Sequence, residues 1–211
     1  MKHIVKQGEP QAFTDWKALS NEDWQPTYDD LAGEPKRAVK KALMDEQGYI
    51  CCYCERRLTY DESHIEHFIP QSAQDVDPLD YANFLCSCQS QIKKGEPRHC
   101  GNLKDDWFDQ DLLVSPLTPE CESRFSFTGD GGIQPATEND AAAVESIEKL
   151  GLGIPKLNDL RSKAIEPFLD ESLSEQDLRD FVSGYLDRDA SGYFGEFWMT
   201  IRYLFGGIVA V

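Results

Sequence analysis

Apolar positions along the chain fall into a few clear patterns separated by long polar stretches. Residues 1–34 show no sustained period, apart from a short helix expected over 12–19 with Phe13 and Trp16 on one face. Trp24, Pro26 and Tyr28 suggest a packed but loop-like arm. From Glu34-Pro35 the pattern turns helical: Ala38, Val39, Ala42 and Leu43 share a face, Pro35 suits the first turn and Gly48 the position past the end. Tyr49-Ile50 reads as a short strand, 56–59 and 64–69 as the strands of a hairpin, and 71–81 as a polar loop. Residues 83–104 read as loop passing into a helix near Gly101 or Asn102 that runs through Asp105, Asp106 and Trp107.

Beyond Asp109 the pattern changes. Residues 112–117 read as a strand ending at a turn, and 124–128 alternate before the hairpin signal Gly129-Asp130-Gly131-Gly132, with Ile133 opening the return. A helix is expected over 140–150, capped by Asn139 and ended by Gly151, and another over 156–168. Ser174-Glu175-Gln176-Asp177 resembles a capping box opening a third, to about 187, and 195–205 forms an apolar final helix. No repeat, low-complexity tract or long linker interrupts the chain. The fold class is α+β in three parts: an N-terminal arm and helix (1–48), a central core (49–109), and a β-hairpin plus mainly helical C-terminal region (110–211) packed on that core.

Composition adds constraints. The chain of 211 residues suits one domain or one with an appendage, and 40% hydrophobic with 11% aromatic residues suffices for a core. The net charge of −17 argues against a free-standing nucleic-acid binder, which needs a basic footprint. A polyanionic substrate then requires a local basic patch or a partner that brings it. Met1 to Gln7 has no apolar signal region, and the apolar run 197–211 contains Arg202 and is shorter than the roughly 20 residues of a membrane helix. Seven cysteines without a signal peptide favour reduced thiols, metal binding and a cytoplasmic location.

Six of the seven cysteines and three of the four histidines lie between Cys51 and Lys104. Cys51 and Cys54 have the gap of a zinc knuckle; the second pair comes from Cys100 and either Cys86 or Cys88. A thiol–disulfide motif is the rival, but it lacks the surrounding strand–helix pattern and leaves the second group unexplained. Cys52 and Cys121 read as small hydrophobes. His67 follows Glu66 on an expected strand, so the two side chains start on opposite faces and reach one site only if the backbone bends near Pro70. Together with nearby asparagines they offer a base, a carboxylate and amide oxygens, the set that metal-assisted phosphodiester hydrolysis needs.

Cys-x-x-Cys, Glu66-His67-Phe68-x-Pro70, Asn83, and Cys100-Gly101-Asn102-x-Lys104 together resemble an HNH endonuclease of the zinc-stapled ββα-metal type. Cys51-Cys52-Tyr53-Cys54-Glu55-Arg56-Arg57-Leu58, Ser63-His64-Ile65-Glu66-His67-Phe68, the segment 113–125 and the segment 150–161 resemble the PtuB proteins of Septu and retron-linked antiphage systems. The resemblance implies His67 as general base, Glu66 and Asn102 as ligands of a catalytic Mg²⁺ or Mn²⁺, and Asn83 as the residue that holds the loop and orients His67. Cys88, five residues after Asn83, is favoured over Cys86 beside Cys51, Cys54 and Cys100 as the structural zinc ligands. Lys104 is a candidate phosphate contact, His64 a candidate groove residue and His99 a candidate substitute zinc ligand.

Eleven residues separate Cys88 from Cys100, where two are usual in such domains. The insertion carries Lys93, Lys94 and Arg98 against Glu96 and reads equally as a basic finger over substrate or a solvated loop. Lys36, Arg37, Lys40 and Lys41 read as a solvated helix face or a phosphate-facing flank. The partner implied is a PtuA-like ABC-type ATPase, with or without a retron reverse transcriptase and its DNA–RNA hybrid. Tyr185, Tyr193, Phe194, Phe197 and Trp198 are candidates for the docking surface, with a core role the stronger expectation for Phe197 and Trp198. DNA is the favoured substrate, with RNA, including tRNA, open. The alternative is a zinc-stapled adaptor without catalysis, which would need none of Glu66, His67 and Asn102.

Overall fold

The computed structural model describes residues 1–92 and 94–209. Helix α1 (Gln11–Lys17) is followed by α2 (Gly33–Glu46), whose buried face is Val39, Lys40, Leu43 and Met44. Strand β1 (Ser63–His67) then pairs antiparallel with β2 (Phe84–Cys88), placing Ser63 opposite Cys88 and His67 opposite Phe84. A four-residue helix, α3 (Gly101–Lys104), follows. The second sheet is the hairpin β3 (Phe125–Phe127) and β4 (Ile133–Pro135), after which come α4 (Ala141–Lys149), α5 (Pro155–Ile165), α6 (Glu175–Leu186) and α7 (Trp198–Phe205).

The expected hairpin of 56–59 with 64–69 does not form. Arg57 makes only an isolated bridge to Ile50, and the partner of β1 is β2. All five β2 residues are buried, so the strand is a continuous apolar and small-residue run without alternation, and it reads as loop from pattern alone. The helix at Gly101 stops at Lys104 instead of running through Trp107, because Cys100 and Asp105 on either side both take positive φ, 56° and 49°. Residues 112–117 form no strand but turn and irregular chain, and the Val114 N–H goes to the Ser146 hydroxyl in place of a strand neighbour. Asp140, not Asn139, caps α4 by accepting from Ala143 N–H while it also holds Arg124. Helix α7 starts at Trp198 because Phe197 sits at φ 53°. The capping box at Ser174 and Asp177 forms as expected.

One buried cluster runs from Met1 and Ile4 through Phe13, Val39, Leu43, Phe84, Leu85 and Leu157 to Trp198 and Met199, and a smaller one comprises Ile165, Phe168, Val182 and Ile201. The N-terminal arm and the C-terminal region both close on the centre. Phe13 and Tyr28 pack against Phe84. Residues 194–199 clamp the segment after the first cysteines: Glu55 accepts from Met199 N–H at 2.7 Å, and Arg57 donates to the Phe194 carbonyl at 2.6 Å. Gly48, at φ +59°, leaves room for the Phe194 ring, which would lie 2.2 Å from a Cβ there. Phe197 and Trp198 are buried in internal packing, while the half-buried Tyr193 packs tilted against Tyr49. Among the described residues no helix is long and apolar enough to cross a membrane.

Arg161 on α5 is 2% exposed and donates to the carbonyls of Gly131 and Leu152 and to Asn158 Oδ1. It ties the β3–β4 turn to the loop after α4. Arg161→Met keeps the volume but orphans two buried carbonyls, so urea unfolding should show a loss of about 2–4 kcal/mol.

Candidate functional site

Four thiols meet where β2 ends and α3 begins. Cys51 and Cys54 come from the loop after α2, Cys88 from the last position of β2, and Cys100 from the residue before α3. Their sulfurs lie within 4.8 Å of one another and all four residues are buried. The Cys54 and Cys88 sulfurs are 3.7 Å apart, against an edge of about 3.8 Å for a tetrahedron with metal–sulfur bonds of about 2.3 Å. The Cys88 N–H points at the Cys51 sulfur at 3.4 Å. Burial pushes these thiols up, but contacts from the neighbouring cysteines pull Cys51 well below its ordinary range and Cys54 to about 7. This donor set fits one soft-ligand metal ion.

Cys86 stands outside the group, beside Ser63, with its thiol pushed up to about 12 by burial. Cys52 and Cys121 are likewise buried thiols outside the cluster. His99 is fully buried with Nδ1 3.1 Å from the Cys100 sulfur and 3.7 Å from that of Cys88, a neighbour of the cage and not one of its four members.

The second half of the site is built on β1. His64 and Glu66, two apart, share a face turned towards α3. Glu66 Oε1 accepts from the Tyr53 hydroxyl and from Lys104 Nζ, each at 3.1 Å, and Oε2 lies 3.5 Å from His64 Nε2. Gly101 permits this approach: a Cβ there would lie 2.2 Å from Oε2 and 2.9 Å from His64 Nε2. Burial alone would raise the Glu66 carboxyl, but His64 and Lys104 hold it below its usual range, so it is ionised at neutral pH. Lys104 is 2% exposed and also donates to the carbonyls of His67 and Asp105. It therefore serves as an internal counter-ion, not as the exposed phosphate contact expected from its place on a helix.

His67 closes the strand. Its Nε2 is 3.0 Å from the Pro78 carbonyl, which only accepts, so the proton sits on Nε2 and Nδ1 carries the free lone pair. The ring is wedged edge-on between Tyr28, at 4.5 Å, and Phe84, at 4.8 Å. Burial lowers its pKa. Asn83 exchanges two hydrogen bonds of 2.8 Å with the Ile69 main chain and bends the strand exit, but the ring's partner is the Pro78 carbonyl and not Asn83. Asn102 donates through Nδ2 to the Gln89 carbonyl and is not among the residues that line the cleft beside Glu66.

An open cleft of about 190 Å³ faces Glu66 and His67, with Gln71, Gly101, Lys104, Asp105 and Asp106 on its walls. Lys94 and Arg98 are exposed, Glu96 pairs with Lys156 of α5, and Lys93 lies outside the described residues. On α2, Lys40 is buried against the carbonyls of Tyr60 and Ser63, and Lys41 pairs with Asp45. Sequence reasoning missed Tyr53 and Pro78. Tyr53 had the signal of an aromatic inside a cysteine knuckle, whereas a carbonyl partner has no side-chain signature.

A buried group of four cysteines that could hold a metal ion thus lies close to an open cleft lined by Glu66 and His67. No family model matches the chain. It is 33% identical over 151 residues, 66% of its length and 71% of the relative's, to the "Retron Vc95 putative HNH endonuclease" of Vibrio cholerae serotype O1 biovar El Tor. It is 28% identical over 220 aligned positions, covering 85% and 84% of the two chains, to the "Retron Ec83 putative HNH endonuclease" of Escherichia coli. The chain belongs to the retron HNH endonuclease family.

Proposed function

We propose that this endonuclease is a ββα-metal enzyme in which β1, β2 and α3 form the catalytic unit and His67 is the general base. The observation that carries the reading is the Pro78 carbonyl 3.0 Å from His67 Nε2, on a strand that also carries the buried Glu66. The Pro78 carbonyl holds the Nε2 proton, so Nδ1 is ready to take a proton from a water attacking the phosphodiester. Tyr28 and Phe84 keep the ring from turning, which limits the entropy lost on reaching the transition state. Glu66 provides the negative charge that attracts a cation, and its burial in a low-dielectric setting strengthens that attraction. A divalent ion such as Mg²⁺ or Mn²⁺ bound at Glu66 supplies neutralisation of charge on the phosphate oxygens. Zn²⁺ is the ion that best suits the four-thiolate cage, where it has a structural role.

DNA is the favoured substrate. The net charge of −17 offers no long-range attraction for a polyanion, which supports delivery of the nuclease to its substrate by another protein. A PtuA-like ABC-type ATPase fits that role, with a retron reverse transcriptase and its DNA–RNA hybrid as further members of an antiviral complex. The test is a cleavage assay on DNA and RNA, with and without the ATPase, comparing wild type with Glu66→Gln. Divalent-ion-dependent cleavage of DNA should fall about a hundredfold or more in the variant, with zinc content unchanged. Equal cleavage by both proteins would overturn the reading.

A further inference from the structure

The two oxygens of Glu66 live in different surroundings. Oε1 is taken up by Tyr53 and Lys104, which hold it in place. Oε2 faces His64 Nε2 alone, at 3.5 Å. The His64 ring has no other polar engagement among the described residues, since its Nδ1 is buried without a hydrogen-bond partner. Both side chains press against the bare backbone of Gly101, where a β-carbon would strike each of them. Two donors on adjacent corners of an octahedron with bonds of about 2.1 Å lie about 3 Å apart, so a closure of roughly half an ångström brings this pair into chelating position. Asn102, whose Nδ2 donates to the Gln89 carbonyl, is not among the residues that line the cleft in front of Glu66.

We propose that His64 Nε2 and Glu66 Oε2 are the two protein ligands of the divalent ion, a step that rests on the nuclease reading and assigns the ligands of that same site. Water and phosphate oxygens fill the remaining positions. Tyr53 and Lys104 act on Oε1 and orient the carboxylate from behind, as outer hydrogen bonds do in metal sites. An imidazole donor favours a borderline ion such as Mn²⁺ over Mg²⁺, whose preference is for oxygen.

The experiment is a Mn²⁺ titration of the zinc-loaded full chain followed by electron paramagnetic resonance, with pulsed detection of directly bound nitrogen. Wild type should show one Mn²⁺ with nitrogen modulation. His64→Ala should lose the modulation and bind about tenfold or more weakly, while Asn102→Ala and His67→Ala keep the modulation. His64→Gln, which preserves bulk, replaces His64→Ala if the latter loses zinc or its thermal transition. Modulation that survives in the His64 variant, unchanged Mn²⁺ affinity, or a wild-type spectrum without nitrogen each overturns the assignment and leaves His64 as an ion-pair partner of Glu66. Cleavage by wild type but not by Glu66→Gln would meanwhile uphold the nuclease reading, so the two failures are distinguishable.

Discussion

Cys88→Ser is expected to strip the cage of its metal and unfold the centre of the protein, whereas Cys86→Ser should keep both. The two residues lie on one strand, are both buried and differ by a single atom in the variant, so general effects of serine in a core are matched. What separates them is membership of the cage. Structural zinc contributes about 10–16 kcal/mol in small zinc-binding peptides, as much as the whole net stability of a typical domain, about 5–15 kcal/mol. A helix as short as α3 has no stability of its own in water and depends on Cys100 being held. Zinc per chain and the far-ultraviolet thermal transition measure the outcome. Zinc retained at wild-type level in Cys88→Ser, or lost from Cys86→Ser, would reverse the ligand assignment.

His67→Ala should reduce cleavage by about 10²–10⁴-fold with zinc content unchanged, and loss of the buried ring from between Tyr28 and Phe84 should lower stability by about 1–3 kcal/mol. The imidazole must be neutral to act as base, and burial lowers its pKa from 6.5. The active form is therefore populated above an inflection that lies below pH 6.5, and kcat/KM should rise with pH through that inflection and then level off. The rising limb should vanish from the residual activity of the variant. Asn83→Ala tests a weaker link. It frees the Ile69 main chain without touching the ring, so a smaller loss is expected, with the inflection of the pH profile kept.

Much of this organisation was legible in the residues. Pro35, Val39 and Leu43 announced α2, Ser174 and Asp177 announced α6, and the cysteine spacing narrowed the cage to one of two alternatives. The failures have specific causes. A strand buried on both faces loses alternation, which hid β2 and misassigned the partner of β1. Positive φ at Cys100, Asp105 and Phe197 falls on residues that give no warning of it, so α3 ran too long and α7 began too early in the expected pattern. Lys104 was expected at the surface because lysine usually is; a buried carboxylate two elements away decided otherwise. Asn102 was placed at the site by motif, and a carbonyl from the inserted loop, which has no side-chain signature, accepts from its Nδ2.

That loop, between Cys88 and Cys100, is anchored at both ends to the same cage. Gln89 adds a brace by donating to the Pro97 carbonyl and accepting from the His99 N–H, each at 3.0 Å. Lengthening a connection from two to eleven residues costs only about 1.5 kcal/mol of closure entropy. The exposed Lys94-Gly95 step, ahead of the Glu96–Lys156 pair, is therefore a port at which a protein engineer can splice in new sequence such as a recognition peptide or a fluorescent tag without disturbing either anchoring thiolate.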